Sequence, residues 1–197
     1  MHRKFIILDR DGVVNEDSPD FIKSPEEWIP IPGSLEAIGT LKAAGYTVVI
    51  ASNQSGLKRG LFDLKTLEAI HAKMQQTLAL QGAQIDGIFF CPHHDSDNCD
   101  CRKPKPGLLH QIAAQFDIDL RTQEIPMIGD SLRDLEAAYA AGCTPILVLT
   151  GNGHKTQVNL PEHLAHIAVY ADLKAAVDEL LRGSPPPHGE RVARSAG

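Results

Sequence analysis

The chain predicts an α/β fold, a three-layer sandwich around a central parallel sheet. Apolar runs of strand length alternate with segments of helical apolar spacing, the strand–helix–strand unit of a parallel sheet. The best-marked of these runs also stop abruptly in short polar loops containing glycine, as at Asp9 to Gly12, Ser52 to Gly56 and Gly129 to Ser131. In open α/β sheets, ligands sit at the carboxyl ends of strands.

The first run, Phe5-Ile6-Ile7-Leu8, ends in Asp9-Arg10-Asp11-Gly12-Val13-Val14-Asn15. Alternation along an extended chain points Asp9 and Asp11 the same way and Arg10 elsewhere. Two acids held that close repel unless a cation lies between them or one takes up a proton. A hard divalent ion with oxygen ligands, Mg²⁺ above all, resolves the conflict.

With 197 residues the chain suits one domain, over 1–182, and a proline-, glycine- and arginine-rich tail, 183–197, expected to be disordered. A net charge of −6 without a basic run argues against nucleic-acid partners. Apolar stretches fall short of the roughly 18 residues of a spanning helix, and the N-terminus lacks the long apolar segment of a secretory signal, so a soluble cytoplasmic protein away from membranes is expected.

After the first loop, Glu16 to Asp20 is polar and well placed to border a site. Ser34 reads as the cap of a helix carrying Leu35, Ile38 and Leu41 and closed by Gly45. The second strand, Tyr46 to Ala51, runs into Ser52-Asn53-Gln54-Ser55-Gly56, whose hydroxyl, amide and backbone N–H groups suit an anion. Lys58 and Arg59 read as a solvated patch. Asp63 to Gly82 forms an amphipathic helix with Leu64, Leu67, Ile70, Met74 and Leu78 inward, and with His71 in a structural or exposed place. A third strand follows, Ile85 to Phe90.

Cys91-Pro92-His93-His94 and then Cys99-Asp100-Cys101 offer the sulfur and nitrogen donors of tetrahedral zinc. Cys91, His93, Cys99 and Cys101 make a closed set, with His94 as the alternative to His93. Such a zinc is structural, stapling a loop too polar to fold alone. Cys143 reads as an inert core thiol.

Arg102, Lys103 and Lys105 follow the staple directly, three cations on a fixed loop before a helix over Leu108 to Phe116. The next strand, from Ile125, delivers Asp130 after Gly129, and Asp134 lies one turn into the helix Leu132 to Ala141, either supporting the site or favouring the helix N-terminus. Pro145 to Thr150 forms a further strand ending at Gly151-Asn152-Gly153. Val169-Tyr170 and Leu173 to Leu181 close the fold.

Paired acids, a small hydroxyl, a cation and a further acid, each at a strand end and in that order, resemble the haloacid dehalogenase (HAD) superfamily of phosphotransferases. The resemblance spans Phe5 to Thr150 and implies a Rossmann-like fold without a large cap. Ser-Asn-Gln-Ser-Gly, Cys-Pro-His-His…Cys-x-Cys and Arg-Lys-Pro-x-Pro-Gly together look like the heptose bisphosphate phosphatases within it, in the histidinol-phosphatase-like subfamily. Histidinol phosphate phosphatases carry a similar zinc loop and are the competing reading. A third, from a different class, is a binding module whose acids merely hold metal.

The resemblance implies Asp9 as nucleophile, Asp11 as acid and base, and Ser52 with Lys103, or less directly Lys105, on the phosphoryl oxygens. Mg²⁺ is implied on Asp9, Asp130 and the Asp11 carbonyl. Substrate contacts are implied at Asp17, Ser18, Pro19, Asp20, Asn53, Gln54, Ser55 and Arg102, the last on a second phosphate. A monomer acting on a small sugar phosphate in heptose nucleotide supply for the cell-surface polysaccharide is the expected whole.

Overall fold

A computed structural model describes residues 4–183. Six parallel strands form one sheet: β1 (Phe5–Leu8), β2 (Thr47–Asn53), β3 (Gly87–Cys91), β4 (Pro126–Gly129), β5 (Thr144–Val148) and β6 (Ala168–Tyr170). Their spatial order is β3-β2-β1-β4-β5-β6. The helices are α1 (Ser34–Ala43), α2 (Leu64–Ala79), α3 (Gly107–Phe116), α4 (Leu132–Ala141), α5 (Gly153–Val158) and α6 (Leu173–Arg182).

Period-two alternation in β1 builds the layers. Ile6 and Leu8 pack with residues of α1, α2 and α6, while Phe5 and Ile7 pack with residues of α3 and α4. Both faces are therefore covered, and all four residues of β1 are buried. The chain winds outward from β1 to β3, then returns to the other side of β1 for β4. The carboxyl end of β1 thus lies at the point where the winding reverses, which opens a crevice there. Leu8 pairs with Ile50 on β2 and with Ile128 on β4, so β1 and β4 end at nearly one level, while β2 runs on beside them to Asn53.

Among the described residues no large cap is inserted. The stretches from 9 to 33 and from 92 to 106 are loops, the second containing one 3₁₀ turn, Asp95–Asp97. The tail from 184 onward lies outside the described residues, and Gly183 ends α6 with φ 72°.

Two readings of the sequence need correction. Ser34 is the first helical residue rather than a cap: Gly33 precedes it at φ 84°, and the Ser34 hydroxyl turns to the carbonyl oxygens of Val14 at 2.6 Å and Ile31 at 2.8 Å. It therefore ties the loop after β1 to the core. Short α5 is also new. Its Gly-Asn-Gly entry reads as a turn, and six residues carry too little periodicity to reveal a helix.

Ser34→Ala removes a buried donor and should lower stability by about 1–2 kcal/mol, read from urea unfolding. An unchanged midpoint would mean that the hydroxyl does not anchor that loop.

Candidate active site

Lys103 is the centre of the crevice. It is 2 % exposed, and its ammonium donates to Asp9 Oδ1 at 2.8 Å and to the carbonyl oxygen of Ala51 at 2.7 Å, and pairs with Asp134 Oδ1 at 2.6 Å. Burial alone would lower its pKa, but Asp134 and Asp9 raise it above the ordinary lysine value, so it stays charged. Asn53 holds the loop in place, accepting from the Lys103 N–H at 3.1 Å and donating to the Lys103 carbonyl at 3.0 Å. Lys105 lies elsewhere, with its ammonium on the Asn98 carbonyl at 3.2 Å.

Oxygens of Asp9, Asp130 and Asp134 all lie within 4.8 Å of one another. Three carboxylates to one ammonium leave excess negative charge, and the acids show it. Burial and then Asp134 push Asp9 well above the usual carboxylate range, against the pull of Lys103. The same two causes take Asp130 up to about 7, although Asn152 opposes them. Asp130 fits only because no side chain stands at Gly12 (φ 83°) or Gly151 (φ 54°), where a Cβ would collide with its Oδ2. Asn152 donates its N–H to that oxygen at 2.7 Å, and its side chain donates to Asp17 at 2.8 Å. Asp134 is secured by Ser131, whose hydroxyl donates to Oδ2 at 2.6 Å.

Asp9 and Asp11 both border the cavity and Arg10 does not, as alternation suggests, but the Arg10 guanidinium still reaches back to Asp11. Arg10, fully buried, grips it with Nε at 2.9 Å and a terminal nitrogen at 3.0 Å, and Asn15 and Gln54 donate to it at 2.9 and 3.1 Å. Strand geometry ends at Leu8: the N–H groups of Val13, Val14 and Asn15 turn back onto the Arg10 carbonyl, and in that turn the Arg10 and Asp11 side chains come within reach of each other. Burial pushes the Asp11 carboxyl up, but Arg10 and the hydrogen bonds outweigh it and hold it below the usual range. Gln54 also donates to Ser52 Oγ at 2.7 Å, leaving the Ser52 hydroxyl proton to serve as a donor.

These groups line a cavity of about 340 Å³. Asp9, Asp11, Asp17, Ser18, Ser52, Asn53, Gln54, Ser55, Arg102, Lys103 and Asp130 all border it, as the motifs suggest, whereas Pro19 and Asp20 are exposed and stand outside the lining. Phe21, Arg59, Asp95, Arg133, Asp134 and Asn152 also contribute. Arg59 is exposed, as read, and it also reaches His94 at 2.6 Å and stacks over Phe21, joining the zinc-type loop to the loop after β1. Asn152 was within reach of the strand-end rule, because it follows β5 as Asp130 follows β4.

Beside the cavity, the sulfurs of Cys91, Cys99 and Cys101 and one ring nitrogen of His93 lie within 4.8 Å of one another. All three thiols are free. His94 faces away, its ring nitrogens meeting Ser96 and Arg59. Cys143 is buried apart from the cluster, and burial pushes its thiol up to about 12.

A D-glycero-beta-D-manno-heptose-1,7-bisphosphate 7-phosphatase of Bordetella bronchiseptica is 57% identical over 181 residues, 91% of this chain and 98% of the relative. The chain belongs to that family of HAD-like hydrolases. A namesake from Pseudomonas aeruginosa is 50% identical over 183 residues, covering 92% of this chain and all of the relative. The family profile described as HAD-hydrolase-like matches residues 100–176. Among solved structures, the D,D-heptose 1,7-bisphosphate phosphatase of B. bronchiseptica, complexed with magnesium and phosphate, superposes with a TM-score of 0.87 at 56% identity, covering 92% of this chain and 99% of that one. Its counterpart from Burkholderia thailandensis gives 0.70 at 44% identity over 91% and 99%.

His71 supplies a pH test. It lies partly buried on α2, 3.3 Å from Arg10, and burial followed by the Arg10 charge lowers its pKa to about 4. The folded protein therefore binds this proton less readily than the unfolded chain, whose value lies near 6.5. The contribution of His71 to stability is full above pH 6.5 and should be lost, by up to about 3 kcal/mol, between pH 6.5 and 4, against an opposite trend from Asp9 and Asp130, whose raised values favour the folded form as they take up protons. The stability difference between the parent and His71→Gln, read from urea unfolding at stepped pH, should therefore change across that window. A constant difference would reject the assignment.

Proposed function

We propose that the protein removes the C7 phosphate of D-glycero-D-manno-heptose 1,7-bisphosphate through an aspartyl-phosphate intermediate. The observation that carries this reading is the bond from Lys103 to Asp9 beside Asp130, in a cavity that also holds Ser52 and the second cation, Arg102.

The chemistry follows from the residues. Asp9 attacks phosphorus in line; its carboxylate oxygen forms the new bond as the bond to the sugar oxygen breaks. Lys103 favours the ionised form of Asp9 and faces the incoming phosphoryl oxygens, while Ser52 donates its hydroxyl proton to another. Asp11 supplies the proton that the departing sugar oxygen needs, and because Arg10 holds it ionised in the open site it must first take that proton from solvent as the dianionic substrate binds beside it. In the second half it accepts one from the water that hydrolyses the aspartyl phosphate, a base role for which Arg10 already holds it ionised. Arg102 receives the distal phosphate bidentately, and the loop bearing Asp17 and Ser18 borders the sugar.

The negative charge gathered on Asp9 and Asp130 fits a divalent cation held by those two carboxylates and the Asp11 carbonyl. Asp134 is committed to Lys103 and Ser131. When bound, Mg²⁺ supplies positive charge to the transferring phosphoryl oxygens. The converging thiols and imidazole fit structural Zn²⁺ on Cys91, His93, Cys99 and Cys101. We place the enzyme in the cytoplasm, as a monomer, in the supply of heptose precursors for lipopolysaccharide.

Phosphate release under Mg²⁺ should be much faster from the heptose bisphosphate than from histidinol phosphate; the reverse order would transfer the assignment to the latter class. Asp9→Asn should cut release by at least about a thousandfold with the circular dichroism spectrum unchanged, and a variant with ordinary turnover would exclude the nucleophile. Metal analysis should find about one zinc per chain, and its chelation should unfold the loop and disable Lys103. Paired cysteines without metal would refute the zinc.

A further inference from the structure

Arg102 already has an anion. Its Nε donates to the Asp95 carboxylate and a terminal nitrogen donates to the His93 carbonyl at 3.3 Å. The Arg102 side chain is 10 % exposed, whereas that of Asp95 is 67 % exposed, so the guanidinium is fixed and the carboxylate is free to leave. Asp95 opens the short 3₁₀ turn of the zinc-type loop, and both residues line the cavity. Arg133, from the first turn of α4, lines it too and acts electrostatically on Asp95. The carboxylate therefore occupies a place between cations that suits the second phosphate of a bisphosphate.

We propose that Asp95 is a displacement residue: its carboxylate gives up Arg102 to the distal phosphate of the incoming substrate and reclaims it to expel the product. This rests on the reading of the cavity as a bisphosphate site. The Asp95 carboxylate regains water when it leaves, and a phosphate dianion brings more charge to the same donors, so the exchange on binding is favourable. Release is the harder half. After hydrolysis at C7 the sugar still carries its other phosphate, and nothing in the chemistry weakens the grip of Arg102 on it. A tethered carboxylate beside that guanidinium competes for it at high effective concentration. Asp95 thus acts as a positioning residue, through Arg102, rather than on the reacting atoms.

The test is product inhibition by heptose 1-phosphate, measured against turnover of the heptose 1,7-bisphosphate. In Asp95→Asn and Asp95→Ser the inhibition constant should fall about fivefold. In an Arg102→Ala background the same substitutions should move it less than twofold. An inhibition constant that stays the same or rises overturns the proposal, as does an equal change without Arg102. If the unaltered protein releases no phosphate from the bisphosphate, the functional reading itself fails, which is a separate result from a silent Asp95.

Discussion

Everything in this site depends on one ammonium group buried among carboxylates. Lys103 is withdrawn from water, a costly placement for a cation, and it stays charged because Asp9 and Asp134 both reach it. Asp130 then adds negative charge that Lys103 alone cannot balance. The pocket is built with a deficit of positive charge, and a phosphoryl group, itself anionic, enters favourably only with a further cation. The electrostatic conflict is the working feature of the site rather than a flaw in the fold.

The sheet makes that conflict tolerable. Asp9 and Asp130 each follow the end of a buried parallel strand, Asp134 sits in the first turn of α4, and reversal of the strand order at β1 brings β1, β2 and β4 side by side. Dense packing on both faces, by α1, α2 and α6 on one and α3 and α4 on the other, fixes those ends against repulsion. The clearance left by Gly12 and Gly151 gives Asp130 a slot rather than a surface position.

Much of this was legible from residue order. Polar groups at the end of an apolar run mark a strand-end loop, so Asp9, Ser52 and Asp130 stand out, and the chemistry of sulfur and imidazole ligands singles out the Cys-His cluster. Partnership was harder to read. That Asp134 grips Lys103 across the fold, or that Asn53 spends its amide on the backbone of Lys103, depends on which loops meet, and no local pattern encodes that. The pairing of Arg10 with Asp11 was not legible, because it forms in the turn that follows the last residue of the strand. Ser34 was misjudged because a hydroxyl at a helix start has more than one available acceptor. The choices between His93 and His94, and between Lys103 and Lys105, needed distances.

The short link between Cys101 and Lys103 has a mechanical consequence. Two residues of chain reach no farther than roughly 7 Å, so a metal held at Cys101, as proposed, would restrict Lys103 to a short radius. At the other end of that link the lysine side chain is packed in the interior, so it would be held from both sides without the bulk of an additional lobe.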